Sequence, residues 1–228
     1  MGDIVNKDIA VIFDFNGTCI FDKKYHEKAW QIYIEELTLN PVADKDTAFW
    51  ISGKSPKEIL EHFLGYELSS SMIEQFAEEK ERVYRSLIVK DDVRLAPGLE
   101  SFLNYLLLAQ IPRTICAATY LSNINLYFER YGLDRWFKWE DIVIQGNESD
   151  LLHHPHPDMY KAAINRLGFS ADKTVVFEDS APGVKAAYSA GVKHIIAVTG
   201  DSWNTNLIKM DGVYAEIKDF TELNPDNF

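Results

Sequence analysis

The feature that most constrains the fold is an unbroken apolar run that ends in a carboxylate. Five apolar residues extend from Ile9 to Phe13, Asp14 follows at once, and Gly17 and Thr18 then turn the chain. Such a run is typical of a strand that is buried on both faces of a parallel sheet. Because ligands of open α/β sheets bind beyond the carboxyl ends of strands, Asp14 is a candidate nucleophile or metal ligand. An ordinary Asp/Asn/Gly turn is the alternative interpretation of this stretch alone.

The composition limits the classes of partner. The 228 residues carry 35 Asp and Glu against 23 Lys and Arg, a net charge of -12, which argues against nucleic acid and against an anionic membrane surface. The two cysteines, Cys19 and Cys116, do not form a disulfide framework, and the sequence has no apolar run of membrane-spanning length and no signal-peptide pattern. We therefore expect a cytoplasmic protein, monomeric by default.

The rest of the sequence divides into a helical part and an alternating part. Residues 23 to 92 carry helical patterns, including a short helix for which Ser55 is the predicted N-cap, with Pro56 at its first position and Glu58 completing a capping box. From Leu95 onwards, apolar strands alternate with helices, which predicts βαβ units and a parallel sheet. The predicted class is therefore α/β, with a Rossmann-like parallel core.

The predicted domain organisation follows from this division. Residues 1–22 and 93–228 are expected to form the α/β core domain, and residues 23–92 an all-helical cap domain inserted after the first strand. The polar tail after Trp203 is expected to wrap the surface. Later strands are predicted over residues 114–119, 142–144, 174–179 and 194–198.

Four short motifs occur in a fixed order along the chain. They are Asp14-Phe-Asn16-Gly17-Thr18, then Thr119 with Asn123, then His154-Pro-His-Pro-Asp158, and finally Glu178-Asp179-Ser-Ala-Pro-Gly183. In order and spacing they resemble the motifs of the haloacid dehalogenase superfamily, and in particular its β-phosphoglucomutase-like phosphatases, which have a helical cap. The resemblance covers nearly the whole chain, and its fourth motif is highly specific.

The resemblance implies Mg²⁺-dependent phosphoryl transfer. By resemblance, Asp14 attacks phosphorus and forms an aspartyl-phosphate, a known form of covalent catalysis. The implied Mg²⁺ ligands are Asp14, the backbone carbonyl of Asn16, and Asp179, with Glu178 as a further ligand or a close neighbour; such hard oxygen ligands suit Mg²⁺. Thr119 is implied to donate to a phosphoryl oxygen. The alternatives are a solvated strand end for the acidic pair and a simple strand residue for Thr119.

Two catalytic positions depart from the family pattern. Asn16 replaces the second Asp, the general acid and base, and an amide cannot exchange that proton at neutral pH; loss of such a group typically costs ~10²–10⁴-fold in rate. Asn16 is interpreted as natural divergence or as a substitution made to trap a complex, and His154, which replaces the family's Lys, favours divergence. His153 and His156 flank His154, but their spacing does not match usual zinc sites, so a loop with one inward histidine is preferred.

Three cap residues are implied to bind substrate by the same resemblance. They are His26, Lys54 and Lys80. In the core, the residues implied to bind substrate are Gly17, Thr18 and Asn123. For Lys80 the alternative is a solvated charge on a highly charged helix. Trp30 is interpreted as core packing. Pro56 stands where sugar-phosphate mutases carry an Arg, and the loss of that bidentate phosphate contact argues against mutase activity.

The function predicted from these residues is a slow Mg²⁺-dependent phosphatase that acts on a small phosphorylated metabolite. One alternative is a catalytically inactive binding protein that keeps the fold and the metal. A less favoured alternative is a C–P bond hydrolase similar to phosphonoacetaldehyde hydrolases, with Lys54 as the Schiff-base lysine, although Lys54 directly follows Gly53 and departs from that family's spacing. The Glu178–Asp179 pair argues against metal-free dehalogenation.

Overall fold

Parallel strands form the centre of the fold in the computed structural model, which describes residues 8–43, 49–51, 54–144, 152, 154–201 and 206–224. Within these residues the sheet has six strands in the order β3-β2-β1-β4-β5-β6, and every neighbouring pair is parallel. The α/β class predicted from the alternating pattern is therefore confirmed. The strands are β1 (Ala10–Phe13), β2 (Arg113–Ala117), β3 (Val143–Ile144), β4 (Thr174–Glu178), β5 (His194–Val198) and β6 (Val213–Ile217).

The first apolar run forms β1, whose four residues are fully buried. β2 pairs with one edge of β1 and β4 with the other, so that Phe13 lies in register with both Ile115 and Phe177. The strand order reverses at β1, and this is where open α/β sheets form their ligand crevice. Asp14 follows β1 and Asp179 follows β4, so both carboxylates belong to the carboxyl edge of the sheet at this switch point.

Helices accompany the strands in the alternating part of the chain. Helix packing against the sheet buries a cluster that includes Met159, Ala163 and Val176. In the described part of the chain, the longer helices are α1 (Lys23–Thr38), α2 (Pro56–Leu64), α3 (Ser70–Lys90), α4 (Leu99–Leu108), α5 (Leu121–Tyr131), α6 (Asp158–Leu167) and α7 (Ala181–Ser189). Among the described residues, none of the helices is long and apolar enough to cross a membrane.

The chain folds into two compact units. The core unit comprises Met1–Phe21 and Arg94–Phe228, and the helical unit comprises Asp22–Val93. In the helical unit, α2 begins with the predicted capping box: Ser55 Oγ accepts from the Glu58 N–H at 3.3 Å, and the Glu58 carboxylate accepts from the Ser55 N–H at 2.8 Å. The unit has its own apolar core, which includes Trp30 as the sequence predicted.

Three sequence predictions about local structure are wrong. The tail after Trp203 contains β6, which pairs with β5; its half-exposed, partly polar sequence hides the strand pattern. Thr119 lies beyond the end of β2, because the strand stops at Ala117. Residues 49–51 are helical, although the sequence indicated a loop from 49 to 56, of which residues 52 and 53 lie outside the described part.

Candidate active site

The backbone of Asp14 is fixed on two sides, and the residue is 6% exposed. Its N–H donates to the carbonyl of Phe177 in β4 at 3.0 Å, which ties the end of β1 to the neighbouring strand. Its carbonyl accepts from the Cys19 thiol, with Sγ at 3.2 Å. Burial, and then the charge of Asp14, raise the pKa of the Cys19 thiol, so the thiol stays protonated and able to donate. The nucleophile candidate therefore has a well-defined position at the switch point.

Glycine brings the first and fourth motifs into contact. The Gly17 N–H donates to the carbonyl of Ile20 at 2.8 Å, and its φ of +80° is one that favours glycine. A Cβ at this position would lie 2.4 Å from Oδ2 of Asp179, so only a residue without a side chain lets the loop meet that carboxylate. The hydroxyl of Thr18, the next residue, is fully buried and has no hydrogen-bond partner among the described residues.

The first acidic residue of the fourth motif, Glu178, accepts hydrogen bonds near the start of α7. One carboxylate oxygen accepts from the Ser180 N–H at 2.6 Å, and the other accepts from the Tyr160 hydroxyl at 3.2 Å. A Cβ on Gly183 would lie 1.5 Å from Oε1, so the carboxylate fills the space that a side chain would need. Burial raises the pKa of Glu178 to about 7 against the opposing effect of these hydrogen bonds. Its contacts favour a supporting role beside Asp179.

Tyr160 supplies a hydroxyl that remains a donor. Burial, and then the nearby charges of Glu178 and further groups including Asp14, raise the pKa of Tyr160 well above its usual range. Its ring also stacks on His154, with centroids 5.4 Å apart and planes at 9°. The sequence motifs did not single out Tyr160, because its role depends on a contact with a strand 18 positions away.

His154 lies next to Glu178, with Nδ1 4.0 Å from Oε1. His154 thus lies beside the fourth motif at Glu178 and stacks on Tyr160. His156 is instead 45% exposed and lies 3.0 Å from the carboxylate of Asp158. His153, the third member of the alternative histidine metal site, lies outside the described residues. Within the described part of the chain, no group of three or more His, Cys, Asp or Glu is arranged to hold a metal.

The turn after β2 presents Thr119 with a defined hydroxyl orientation. Asn123 is fully buried on α5, and its Nδ2 donates to Thr119 Oγ1 at 3.0 Å. Because this oxygen already accepts from Asn123, the hydroxyl proton of Thr119 is available to donate to another acceptor. The contact joins two residues that the sequence predicted to act together.

Asn16 is held by a residue that the sequence analysis missed. Its Nδ2 donates to the hydroxyl of Tyr127 at 3.0 Å. Tyr127 is fully buried on α5, one helical turn beyond Asn123, and its ring stacks on Phe15 with centroids 4.5 Å apart. The i, i+4 spacing of Asn123 and Tyr127 was a signal that both face the same way, but the 111 positions that separate Tyr127 from Asn16 gave no local pattern to connect them.

The predicted cap residues His26 and Lys80 meet inside the helical unit. Lys80 is 3% exposed, so its interpretation as a solvated charge is wrong. Its Nζ lies 3.1 Å from His26 Nδ1, forms an ion pair with Glu81, and lies 5.1 Å above the Trp30 ring. On its other side, His26 Nε2 lies 3.4 Å from the carboxylate of Asp22. The two residues are thus part of one buried polar cluster.

Lys54, the third predicted cap residue, is not part of that cluster in the described contacts. Its Nζ lies 5.3 Å above the ring of Trp50, whose other described partners include the ring of His62 at 3.6 Å. This cation–π contact places Lys54 in an aromatic environment within the helical unit. Substrate binding by Lys54, His26 and Lys80 stays a prediction.

Comparisons with known proteins agree with the geometry of the core unit. Residues 11–197 match the family described as haloacid dehalogenase-like hydrolase. The phosphorylated carbohydrates phosphatase of Thermotoga maritima is 28% identical over 83% of this chain and 84% of that protein. The (DL)-glycerol-3-phosphatase 2 of Arabidopsis thaliana is 26% identical over 82% of this chain and 78% of that protein.

Solved structures show the same fold. A HAD hydrolase of family IA, variant 3, from Entamoeba histolytica is 31% identical and superposes with a TM-score of 0.87 over 95% of each chain. CbbY from Rhodobacter sphaeroides, solved with phosphate, has a TM-score of 0.76 at 20% identity over 93% of this chain and 95% of that one, which supports the fold alone. With the family match covering most of its length, the chain belongs to the haloacid dehalogenase-like hydrolase family.

Proposed function

We propose that this protein is a phosphatase that hydrolyses small phosphorylated metabolites through Asp14. The observation that carries the proposal is the close approach of the Asp179 carboxylate to Gly17, three residues beyond the buried Asp14 at the end of β1. Curated relatives named as phosphatases of phosphorylated carbohydrates and of glycerol 3-phosphate support phosphorylated sugars and polyols as the substrate class.

In the proposed reaction, a carboxylate oxygen of Asp14 attacks phosphorus and displaces the leaving oxygen. The resulting aspartyl-phosphate is then cleaved by water, which returns Asp14 as a carboxylate. The hydrogen bonds at the Asp14 N–H and carbonyl hold the nucleophile in place during both steps. Thr119 donates its hydroxyl to a phosphoryl oxygen, in the direction that the hydrogen bond from Asn123 leaves open.

The oxygen donors of the core unit fit Mg²⁺. Asp14, the backbone carbonyl of Asn16 and Asp179 offer two carboxylates and one carbonyl, a set that leaves positions for water and phosphate, as Mg²⁺ prefers. The approach of Gly17 to Asp179 supports this fit, because it brings the first-motif loop against the carboxylate. When bound, the ion would neutralise charge on the phosphoryl group. Glu178 is proposed to orient this region rather than to bind directly, since both its oxygens already accept hydrogen bonds.

The proposed rate of hydrolysis is low because the side chain of residue 16 is an amide. Asn16 can position a group but cannot supply or remove a proton. His154 stands where the family has a permanent cation, and its position next to Glu178 supports a structural contribution to the same region. The protein is therefore proposed to have a working nucleophile and metal site with a missing proton carrier.

The test is Mg²⁺-dependent hydrolysis of 4-nitrophenyl phosphate by the parent protein, Asn16→Asp and Asp14→Asn. We expect Asn16→Asp to be faster than the parent by ~10²–10⁴-fold, and Asp14→Asn to fall to the blank rate. Intact mass after treatment of the parent with acetyl phosphate should show one phosphoryl adduct, absent in Asp14→Asn.

The opposite outcome would favour the binding-protein alternative. No gain from Asn16→Asp and no adduct, in variants that circular dichroism shows to be folded, would mean that the proton carrier is not the only missing part. Retention of Mg²⁺ binding, measured by titration calorimetry on the same folded variants, would then identify a binding protein that has kept the metal site.

A further inference from the structure

One asparagine of this chain differs from all the others in the residue that follows it. Asn16 precedes Gly17, and it is the only asparagine of the 228 residues with a glycine after it. Glycine has no side chain to shield its backbone nitrogen, so the nitrogen of Gly17 can approach the side-chain carbon Cγ of Asn16 and close a five-membered ring. Asparagine followed by glycine is for this reason the pair that loses its amide nitrogen most readily.

The structure leaves the side chain of Asn16 within reach of water. Asn16 is partly exposed, whereas its neighbours Phe15, Gly17 and Thr18 are buried. Asn123, the other amide of the site, is fully buried on α5 and is followed by isoleucine. Loss of an amide nitrogen consumes water and begins when hydroxide removes a backbone proton, so exposure and sequence select the same residue.

The turn around Gly17 controls how fast the ring can close. The Gly17 N–H donates to the Ile20 carbonyl at 2.8 Å, and the Cys19 N–H donates to the Phe15 carbonyl at 2.8 Å. Ring closure requires the Gly17 nitrogen to give up its proton and this hydrogen bond, so the turn must first open locally. The reaction should therefore be slower in the folded protein than in a free peptide of the same sequence.

We propose that Asn16 is a deamidation site and that its conversion to aspartate supplies the proton carrier of the proposed phosphatase. The chemical change follows from the Asn16–Gly17 pair and its exposure alone, whereas its effect on catalysis rests on the proposed function. The chain as synthesised is then a slow form, and hydrolysis of one side chain produces the faster form.

The conversion consumes one water and releases one ammonia. The Gly17 nitrogen loses its proton to hydroxide and bonds to Cγ of Asn16; the bond from Cγ to Nδ2 breaks, and that nitrogen leaves with the electron pair and takes a proton from water. Water then adds to Cγ, the bond from Cγ to the Gly17 nitrogen breaks, and the Gly17 nitrogen regains a proton. The new carboxyl group passes its proton to the ammonia, and no oxidant or cofactor is required.

The native turn favours one of the two possible products. If water adds instead to the backbone carbonyl of the ring, the product is isoaspartate, whose backbone is longer by one carbon. Gly17 already approaches Asp179 so closely that an added Cβ would lie 2.4 Å from Oδ2, so a longer backbone does not fit. Opening at Cγ restores the ordinary peptide bond and the hydrogen bond from Gly17 to Ile20. We expect aspartate to exceed isoaspartate in the folded protein, and the reverse in the free peptide.

The experiment ages the folded parent protein in heavy-oxygen water, in mildly alkaline and in mildly acidic buffer. Peptide mapping by mass spectrometry follows Asn16 and Asn123, and chromatography separates aspartate from isoaspartate. We expect labelled aspartate to accumulate at position 16 while Asn123 stays an amide, and to accumulate faster in the alkaline buffer because hydroxide starts the reaction. Asn16→Gln is the matched control: its longer side chain would have to close a larger ring, so its amide should persist.

Aliquots of the same samples are assayed for Mg²⁺-dependent hydrolysis of 4-nitrophenyl phosphate. The rate should rise in proportion to the aspartate fraction, towards the ~10²–10⁴-fold gain expected of Asn16→Asp. The rate of Asn16→Asp itself should not change with time, and Asn16→Gln should stay at its starting rate. An equal rise in aged Asn16→Gln would overturn the link between the gain and position 16.

Mass and rate together separate this inference from the proposed function. If position 16 keeps its amide in the alkaline samples, or if isoaspartate is the main product in the folded protein, the inference is wrong even when Asn16→Asp is fast. If labelled aspartate accumulates but neither the aged parent nor Asn16→Asp is faster than the fresh parent, deamidation stands and the proposed proton carrier is wrong.

Discussion

The core unit and the helical unit both bury ionisable side chains, but they stabilise them in different ways. In the core unit, Glu178 is surrounded by uncharged donors, the Ser180 N–H and the Tyr160 hydroxyl. In the helical unit, the buried Lys80 has an anionic partner, Glu81. The carboxylate of the core unit is therefore sensitive to its surroundings, as the rise of its pKa to about 7 indicates, whereas the charges of the helical unit depend on each other.

The largest effect is expected where one member of the charged pair is removed. Lys80→Met should lower the free energy of unfolding by about 3–5 kcal/mol, because Glu81 would be left buried without its cation. Urea denaturation of the whole chain measures the loss. The double variant Lys80→Met/Glu81→Leu should recover most of it; a double variant as unstable as the single one would show that the pair is not the origin.

The next largest effect is expected in the core unit, where an added side chain would fill the space that the Glu178 carboxylate occupies. Gly183→Ala places a Cβ where Glu178 Oε1 lies, so we expect a loss of roughly 1–3 kcal/mol in unfolding free energy, together with a loss of hydrolysis. Gly65→Ala is the matched variant in the helical unit, where a Cβ meets no atom within 4 Å but the φ of +77° is unfavourable. It should cost about 1 kcal/mol and leave hydrolysis intact. Equal loss of hydrolysis in both variants would contradict the prediction.

A smaller change should follow from removing one uncharged donor to Glu178. Tyr160→Phe takes away the hydroxyl that Oε1 accepts, and we expect a cost of about 1–2 kcal/mol in unfolding free energy and a further rise in the pKa of Glu178. Tyr66→Phe, at a tyrosine that is 54% exposed, provides the comparison and should change little. Thermal unfolding that is the same for the two variants would argue against the hydrogen bond as a stabilising contact.

The smallest effect is expected at a partly buried hydrogen bond of the helical unit, and it should depend on pH. The Tyr33 hydroxyl donates to Glu79 at 2.7 Å, and this hydrogen bond lowers the pKa of Glu79 from 4.5. Since the folded-state pKa is the lower one, the stabilisation is present above pH 4.5 and is lost as the pH falls through the folded-state value. Because Glu79 is only partly buried, the contribution should stay below about 1 kcal/mol.

Tyr33→Phe provides the measurement for this contact. The difference in unfolding free energy between parent and variant should be constant near neutral pH and should shrink on acidification below pH 4.5. At the alkaline end, burial raises the pKa of Tyr33, so the contact should also weaken once the pH passes the ordinary tyrosine range. A difference that grows in acid would contradict the assignment of the hydrogen bond.

The same two units differ in how far the sequence could predict them. In the core unit, the first and fourth sequence motifs are short segments that follow strands, so the positions of Asp14, Asn16 and Asp179 at strand ends could be predicted from local order alone. Parallel pairing of β1 with β4 then brings the carboxyl ends of these two strands together. The burial of Lys80 could not be predicted in that way, because it depends on His26, 54 positions earlier, on another helix.

The features that the sequence did not predict, β6 and Tyr127, were missed for similar physical reasons. β6 alternates half-exposed and exposed residues over most of its length and lies in a polar tail, so its pattern is weak without the neighbouring β5. Tyr127 carries no catalytic signature, and only the three-dimensional contact with Asn16 shows its importance. Motif spacing thus predicts which groups are present, while the partners that orient them are determined by tertiary packing.

The spacing of Asn123 and Tyr127 on α5 also constrains changes in chain length. One residue of an α-helix turns the chain by about 100°, so an insertion or deletion between Tyr120 and Asn123 would swing both side chains away from Thr119 and Asn16 at once. A single change in register would thereby separate the Thr119 hydroxyl and the Asn16 amide from the side chains that contact them, although neither residue had been altered. The start of α5 should therefore tolerate substitutions far better than changes in length.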